Sequence, residues 1–408
     1  MKDKLKEKVR SKADGLRQKT GRLINETRGV RGLPGNDAVK LAVKGAAAAA
    51  AVAAVLMMII AGADLRPSAV MEGIKDKQLF AHASGEGFPV DISGSRIIKI
   101  GCVTKGTAVL TDTTYTVYDR KGRSVISENH RLSSPSMATA GHYALLFDRM
   151  GMDFNVRTFS GVRYKGSTEQ PIICADICSS GRFVLVTQSE TTNGLVIVYS
   201  PDGREEYRWK SVDNKISDVS ISTSGRYIAL SGVSAKNGTL VSTVIVQKVG
   251  AKKNVREFTL EDTLVIDIAF IGNARIAAVG DDSAAYFDIN SGKTDLYPYN
   301  DRTLNCYDFS ENGDMALVFS QNSDGRNSSV TVIDRNCQEK ASIATAMTSP
   351  YVSLKDGRIH LLSEKVVSSY HYSGKLIRTA EVPADCHEIF FSHGKLLANG
   401  VMYIKEVE

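Results

Sequence analysis

The sequence predicts an all-β fold, a β-propeller built from four-stranded blades, over residues 88–408. A unit of strand, small polar turn with glycine and second apolar strand recurs along this region, as in residues 172–187 (IICADICSSGRFVLVT) and 216–232 (ISDVSISTSGRYIALSG). The turn glycines of successive units are about 41 residues apart on average, which is the length of one propeller blade. Helix-forming runs are absent from the region, which argues against a solenoid or stacked αβ units. The eight turn glycines are Gly106, Gly141, Gly181, Gly225, Gly272, Gly313, Gly357 and Gly394.

Eight turn glycines predict eight blades, with seven as the alternative because the unit around Gly106 is the weakest. After the second strand, many units continue into a third strand that ends at a turn, as in VYSPDG at 198–203, and then into a polar outer strand such as EEYRW at 205–209. The last unit is too short to supply its own outer strand. We expect Phe88–Ile92 to supply it, because that pairing closes the ring and removes open sheet edges.

The basic charge of the protein is concentrated at its N-terminus. The 408 residues carry a formal net charge of +6, and residues 1–44 hold thirteen Lys or Arg against five Asp or Glu. The rest of the chain therefore has 38 basic and 40 acidic residues, so a nucleic-acid partner is not expected. Six cysteines in a chain of this length exclude a small disulfide scaffold.

An uncharged run of nineteen residues, 45–63, follows the basic region. As a helix it would be about 28 Å long, close to the thickness of a bilayer core, and it predicts a single transmembrane helix. Residues 1–44 are then a basic, amphipathic cytoplasmic tail and residues 64–87 a linker, which leaves the propeller on the extracytoplasmic side of the cytoplasmic membrane. Two alternatives are a buried Ala-rich helix and a signal peptide cleaved after Ala63.

The SSGRFVLV and STSGRYIAL segments resemble the turn of propellers related to the TolB, YVTN and WD40 groups. The resemblance covers roughly residues 88–408 and implies the fold, but not a function. Since Trp209 is the only tryptophan, the chain is not a standard WD40 array. The layout of basic tail, single anchor and propeller is similar to an uncharacterised family of bacterial membrane proteins, and this similarity implies an envelope location.

No motif of a known enzyme class occurs in the chain. The sequence lacks the G-x-S-x-G elbow of serine hydrolases, a P-loop, an H-E-x-x-H motif and paired C-x-x-C motifs. We therefore predict no enzymatic activity, no catalytic residue, no cofactor and no metal ligand.

One set of side chains does suggest a binding site. An aspartate precedes the turn glycine in four consecutive repeats, and Glu388 has a matching place in the eighth. The first strand of each blade lines the central channel of a propeller, so these carboxylates are expected to form an acidic arc around one channel mouth. Such an arc could bind a cation or a basic peptide; the alternative is a structural role, in which each carboxylate bonds the backbone of the next blade. The aspartates are Asp176, Asp218, Asp267 and Asp308.

The leading functional hypothesis is a non-catalytic, membrane-tethered propeller that binds or scaffolds a protein, a peptide or an envelope glycan. One alternative is a transmembrane sensor that passes ligand binding to the basic tail. The other is a metal-dependent, lactonase-like hydrolase at the channel mouth, with His387 beside the carboxylates.

Overall fold

The computed structural model describes residues 78–92, 94–320, 328–345 and 349–407. It contains thirty-two strands in these ranges, arranged as eight antiparallel four-stranded sheets. Each sheet is one blade, so the prediction of an eight-bladed, all-β propeller is confirmed.

Within blades 1 to 7 the four strands follow one another along the chain, from the channel outward. Blade 1 contains β2 (Ile97–Val103), β3 (Gly106–Thr111), β4 (Thr114–Asp119) and β5 (Ser124–Asn129). Blade 2 contains β6 (Pro135–Ala140), β7 (Tyr143–Asp148), β8 (Asp153–Thr158) and β9 (Gly161–Ser167). Blade 3 contains β10 (Ile172–Ile177), β11 (Phe183–Thr187), β12 (Gly194–Tyr199) and β13 (Glu205–Ser211). Blade 4 contains β14 (Lys215–Ile221), β15 (Tyr227–Lys236), β16 (Thr239–Lys248) and β17 (Arg256–Glu261).

The second half of the ring repeats this arrangement. Blade 5 contains β18 (Val265–Ile271), β19 (Arg275–Gly280), β20 (Ser283–Asp288) and β21 (Thr294–Pro298). Blade 6 contains β22 (Thr303–Phe309), β23 (Met315–Ser320), β24 (Ser328–Ile333) and β25 (Glu339–Ala344). Blade 7 contains β26 (Tyr351–Lys355), β27 (Arg358–Ser363), β28 (Val366–His371) and β29 (Leu376–Glu381). Blade 8 contains β30 (Glu388–Ser392), β31 (Lys395–Asn399), β32 (Tyr403–Glu406) and, as its outer strand, β1 (Val90–Asp91).

The hydrophobic core lies between the blades. Successive side chains of a strand point to opposite faces of its sheet, so each middle strand serves two neighbouring seams. In β11, for example, Phe183 and Leu185 pack toward blade 2, whereas Val184 and Val186 pack toward blade 4. The described residues form eight such apolar clusters, one at each seam, and together they stabilise the ring.

The repeat glycines occupy tight turns, as their spacing predicts. Gly181 has a φ of +82°, and a Cβ atom there would lie 2.6 Å from the Tyr143 ring of the previous blade. Seven of the eight glycines adopt positive φ. Gly106 is the exception, because it begins β3 and the turn before it consists of Thr104 and Lys105.

The ring closes where the sequence predicts. Val90 in β1 pairs with Ile404 in β32, so the outer strand of blade 8 comes from the beginning of the propeller. Both side chains are buried in a cluster that also contains Val109 of blade 1. This pairing joins the two ends of the propeller through a strand ladder and an apolar seam.

The end of the predicted linker packs against the propeller. Residues 78–81 form one helical turn, and the Phe80 ring contacts that of Phe159 edge to face, with ring centres 5.0 Å apart. Ser84 pairs with Ser124 in an isolated bridge. Residues 1–44, the uncharged run 45–63 and residues 64–77 lie outside the described residues. Within the part of the chain that the structure describes, no helix has the length and apolarity of a membrane span.

The antiparallel order of strands gives the propeller two distinct faces. The loops between first and second strands, and those between third and fourth strands, lie on one face, which we call the hairpin face. Neighbouring loops there bond to each other; the Thr104 amide donates to Gly141 O at 2.7 Å. The remaining connections lie on the opposite face, where the Asp281 amide donates to Leu264 O at 3.1 Å.

Candidate functional site

The inner strands of five blades share an irregularity that positions the candidate residues. A register shift, typical of a β-bulge, interrupts the pairing of each of these strands with the second strand of its blade. The residue directly after the bulge is Lys99, Cys174, Asp218, Asp267 or Cys306. Two residues further along stand Gly101, Asp176, Ser220, Ala269 and Asp308.

The four predicted aspartates therefore lie at two levels of the channel wall. Asp218 and Asp267 follow the bulge directly, whereas Asp176 and Asp308 lie two residues, about 7 Å, further along the strand. Asp218 and Asp267 stand within the first four residues of their strands, whereas Asp176 and Asp308 stand one residue before the end of theirs, so the four do not form one level arc. Counting residues back from the turn glycine cannot distinguish the two levels, because the hairpin lengths differ: Ile177 pairs with Phe183 in blade 3, but Ile271 pairs with Arg275 in blade 5.

Side chains at the second level accept hydrogen bonds from the next blade. The Asp176 carboxylate accepts from the Ile221 amide at 2.8 Å, and Asp308 accepts from the Leu354 amide at 2.7 Å. In blade 4 a hydroxyl takes this position, since Ser220 Oγ accepts from the Phe270 amide at 3.0 Å.

The first level makes the same kind of contact. The Asp218 carboxylate accepts from the Ile268 amide of blade 5 at 3.0 Å. Asp267 accepts from the Tyr307 hydroxyl of blade 6, also at 3.0 Å. Inner strands of adjacent blades do not pair with each other, so their edge amides need such side-chain acceptors. All four aspartates thus join neighbouring blades.

Three of the predicted aspartates line a single cavity in the channel. Asp176, Asp218 and Asp267 face a space of about 340 Å³ that Lys99 and Thr139 also line. Asp308 lines a separate cavity of about 210 Å³ between blades 6, 7 and 8. Glu388 lines neither; it accepts from the Tyr351 hydroxyl at 2.9 Å and from Asn399 Nδ2 at 2.9 Å.

Burial raises the pKa of the three aspartates that line the larger cavity. It raises the pKa of Asp176 to about 6, even though the amides of Ile221 and Ile177 stabilise its charged form. Burial, and after it the charge of Asp267, raises the pKa of Asp218 to about 7. Burial also raises the pKa of Asp267, although the Tyr307 hydroxyl bond opposes the shift. The charge of one carboxyl group in this pair therefore disfavours ionisation of the other.

The fourth aspartate behaves in the same way outside this cavity. Burial raises the pKa of Asp308 to about 6, against the hydrogen bond from the Leu354 amide. Burial thus raises the pKa of all four inner-strand aspartates above that of an exposed carboxyl group.

Lys99 is a residue of the cavity that the sequence prediction did not include. It follows the bulge of blade 1, the position that Asp218 and Asp267 hold in their blades, and it stabilises the charged forms of Asp176 and Asp267. The signal was present in the sequence, since Lys99 begins the weak repeat KIGCVTKG. It carries an amine where the repeats of Asp218 and Asp267 carry carboxylates, so it does not belong to the acidic pattern.

The hydrolase alternative required His387 near the carboxylates. His387 is exposed in the loop before β30, where its ring contacts Asp385 O at 3.3 Å, and it does not line the carboxylate cavity. Among residues 78–92, 94–320, 328–345 and 349–407 no group of three or more His, Cys, Asp or Glu side chains could hold a metal ion. The arrangement that the structure does offer is a polar cavity with three carboxyl groups and one amine.

Comparison with solved structures supports the fold. BamB from Moraxella catarrhalis aligns with a TM-score of 0.50 and 12% identity, over 79% of this chain and 96% of that one. A structure described as the eukaryotic initiation factor aligns with a TM-score of 0.53 and 12% identity, over 79% of this chain and 90% of that one. The predicted resemblance to TolB- and WD40-like propellers is thereby confirmed for the fold.

Comparison of the sequence with curated proteins and with family models gave two results. No curated protein matches the chain. The sequence model of the family of unknown function DUF5711 matches residues 89–408, which is the whole propeller. The chain therefore belongs to the DUF5711 family.

Proposed function

We propose that this protein is a non-catalytic binding module, a propeller tethered to the cytoplasmic membrane that holds a peptide or protein ligand on the extracytoplasmic side. The observation that supports it best is the convergence of Asp176, Asp218 and Asp267, from three consecutive blades, on one cavity. The chain contains no serine-hydrolase, P-loop, H-E-x-x-H or paired C-x-x-C motif, and no group of three or more His, Cys, Asp or Glu side chains among the described residues could hold a metal ion.

The cavity suits a basic group. Its volume of about 340 Å³ accommodates a lysine or arginine side chain or a peptide amine, but not a folded domain. A cation entering it would offset the repulsion between the carboxylates of Asp218 and Asp267 and would be held by them in a partly desolvated space. Lys99 offers a partner for a carboxylate or carbonyl group of the same ligand.

Substitution of the three aspartates by asparagine tests this site. The variant D176N/D218N/D267N keeps an acceptor oxygen for each amide or hydroxyl donor of the next blade and removes the charge. Binding of a short Lys/Arg peptide library, measured by fluorescence anisotropy, should weaken by at least about tenfold. The control D213N/D281N/D282N removes the same number of charges from exposed loops and should retain binding.

Thermal melts without ligand distinguish the two roles of the aspartates. If they form a binding site, removing their mutual repulsion leaves the apo protein at least as stable as wild type. A large loss of stability together with unchanged peptide binding would leave only the structural role.

The tether rests on the sequence. We propose the organisation of basic tail 1–44, membrane helix 45–63, linker 64–87 and propeller 88–408, with the tail in the cytoplasm. A membrane-impermeant amine reagent applied to intact spheroplasts should modify the exposed Lys236 of the propeller and none of the tail lysines. Permeabilised spheroplasts are the control, and both regions should then react. Protection of Lys236 in intact spheroplasts would indicate the reverse orientation, and release of the protein by alkaline carbonate would indicate cleavage after Ala63.

A further inference from the structure

The two faces of the propeller carry opposite charge. The connections of the hairpin face contain twelve Lys or Arg against five Asp or Glu. The described connections of the opposite face contain ten Asp or Glu against five Lys or Arg. The nearly balanced charge of the propeller as a whole therefore conceals a strong asymmetry along its axis.

The excess of basic charge on the hairpin face persists after its ion pairs are considered. Four of the twelve basic residues pair with carboxylates, and three of the five acidic residues are themselves neutralised by basic residues in strands. The most exposed amines include Lys121, Lys252 and Lys253. The neutralised acidic residues form the pairs Glu311–Lys355 at 2.6 Å, Asp314–Lys340 at 2.9 Å and Asp202–Arg163 at 2.9 Å.

The two faces also differ in apolar content. Of the twelve exposed large apolar side chains among the described residues, six lie in connections of the opposite face. None of the twelve lies in a connection of the hairpin face. The hairpin face can therefore make electrostatic contact with an anionic surface without inserting into it. The six are Met150, Met152, Val212, Leu264, Val401 and Met402.

The chain enters the propeller on the hairpin face. The Phe88 amide donates to Lys121 O at 2.9 Å, and Lys105 Nζ lies 5.8 Å from the centre of the Phe80 ring. A tether that precedes residue 78 therefore joins the molecule on its basic side.

We propose that the hairpin face is an anionic-lipid contact surface, which holds the propeller against the membrane with its acidic face outward. The entry-point argument rests on the proposed tether, whereas the charge argument does not. Each basic side chain close to an anionic leaflet strengthens such a contact, and the attraction acts over roughly a Debye length of about 10 Å. The acidic face would then be available to other molecules.

Amine footprinting of the full chain in lipid nanodiscs tests this inference. The nanodiscs contain phosphatidylcholine alone or phosphatidylcholine with phosphatidylglycerol, and mass spectrometry follows acetylation of each lysine. The hairpin-face lysines should react at least about threefold more slowly in anionic nanodiscs than in neutral ones. About 1 M NaCl should abolish this difference. The internal controls are Lys215, Lys236 and Lys365 of the opposite face, which should not change. The hairpin-face lysines are Lys105, Lys121, Lys252, Lys253, Lys293 and Lys375.

A charge-reversal variant and a second polyanion complete the experiment. In the K252E/K253E variant, anionic nanodiscs should no longer slow the acetylation of Lys121 and Lys375. In the control variant K236E, which changes the opposite face, they should still do so. Equal protection in neutral and anionic nanodiscs, or protection of the opposite face, would overturn the inference. Equal protection by a soluble DNA duplex in neutral nanodiscs would replace it with a nucleic-acid surface.

If the proposed membrane tether does not exist, the nanodisc experiment gives a different result. In that case the chain separates from the nanodiscs on gel filtration. The same footprint on chain added to the outside of anionic vesicles then decides the lipid contact by itself.

Discussion

At the scale of single residues, the most informative side chains are the inner-strand aspartates, because each has two possible functions. As hydrogen-bond acceptors they satisfy edge amides of the next blade, as in the contact of Asp176 with Ile221. As carboxyl groups in a cavity they are costly to ionise, and a cation would lower that cost. The two functions respond differently to loss of charge and to loss of the acceptor atom.

Substitution of Asp218 tests the free-energy cost of ionising its buried carboxyl group. Its folded-state pKa of about 7 lies above the value of about 3.9 for an unfolded chain, so the native state binds more protons between these limits. Its contribution to stability is therefore complete below about pH 4 and is lost as the pH rises toward 7. D218N mimics the neutral acid and should be more stable than wild type at about pH 8 by on the order of 1–3 kcal/mol, with a smaller gain at about pH 5.

Urea unfolding at the two pH values measures this difference. D213N, a change in an exposed loop, is the control and should show no gain. A gain of equal size at both pH values would show that ionisation of Asp218 is not its cause.

Substitution of Asp308 tests how much the hydrogen bond that its carboxylate accepts contributes to stability. Its carboxylate accepts the Leu354 amide of the next blade at 2.7 Å, in a cavity distinct from that of the other three. D308A leaves the amide of the buried Leu354 without its partner and should destabilise the protein by about 1–3 kcal/mol. D308N keeps an oxygen in place and should lose much less. Denaturant midpoints of the two variants give the comparison, and equal losses would contradict this role of the bond.

At the scale of elements, the two-residue strand β1 has an importance beyond its length. It forms the outer edge of blade 8 and brings Val90 into the seam between blades 8 and 1. Without it β32 would present an open edge to other chains. The short last repeat and the start of the propeller therefore depend on each other.

Ile404 measures how much this seam contributes. It pairs with Val90 and is 1% exposed, so I404A should destabilise the protein by about 2–5 kcal/mol. V401A is the control in the same hairpin, because Val401 is 55% exposed and its truncation should change stability by about 0.5 kcal/mol or less. Thermal melts with light scattering would record both stability and aggregation. If I404A is as stable as V401A, the ring is not closed through the seam between blades 8 and 1.

At the scale of the whole molecule, the propeller combines a continuous ring of seams with a charge asymmetry along its axis. Each of the eight apolar clusters draws residues from two blades, so loss of one blade exposes the clusters on both sides. The seams explain why the ring should unfold as one unit. The asymmetry favours the hairpin face over the opposite face for contact with an anionic surface.

Cooperativity of the ring can be followed with the single tryptophan. Trp209 lies in the outer strand of blade 3 and packs against the cluster between blades 3 and 4, far along the chain from the closing blade. In urea, its fluorescence transition should coincide with the loss of far-UV circular dichroism. Deletion of 401–408 opens the ring and should separate the two transitions. A separate, earlier tryptophan transition in the intact chain would contradict unfolding as one unit.

The sequence by itself determined the repeat, and through it the number of blades, the hairpin turns and the closure at residues 88–92. These properties depend on local spacing, on turn glycines such as Gly181 and on alternating apolar residues, all of which can be read along a single strand or hairpin. It also indicated that inner-strand carboxylates are the residues of interest, since Asp176 and its counterparts recur with the period of the blade.

Only the tertiary structure decided how these residues are grouped. The bulges place Asp218 and Asp267 one level away from Asp176 and Asp308, and bulges arise from pairing between strands, which no spacing along one strand reveals. Ring geometry brings Lys99 of blade 1 to the same cavity as Asp267 of blade 5 and leaves Glu388 outside it. The charge of the two faces likewise depends on which end of each strand a loop occupies, so a chain with balanced composition folds into a body with one basic face and one acidic face.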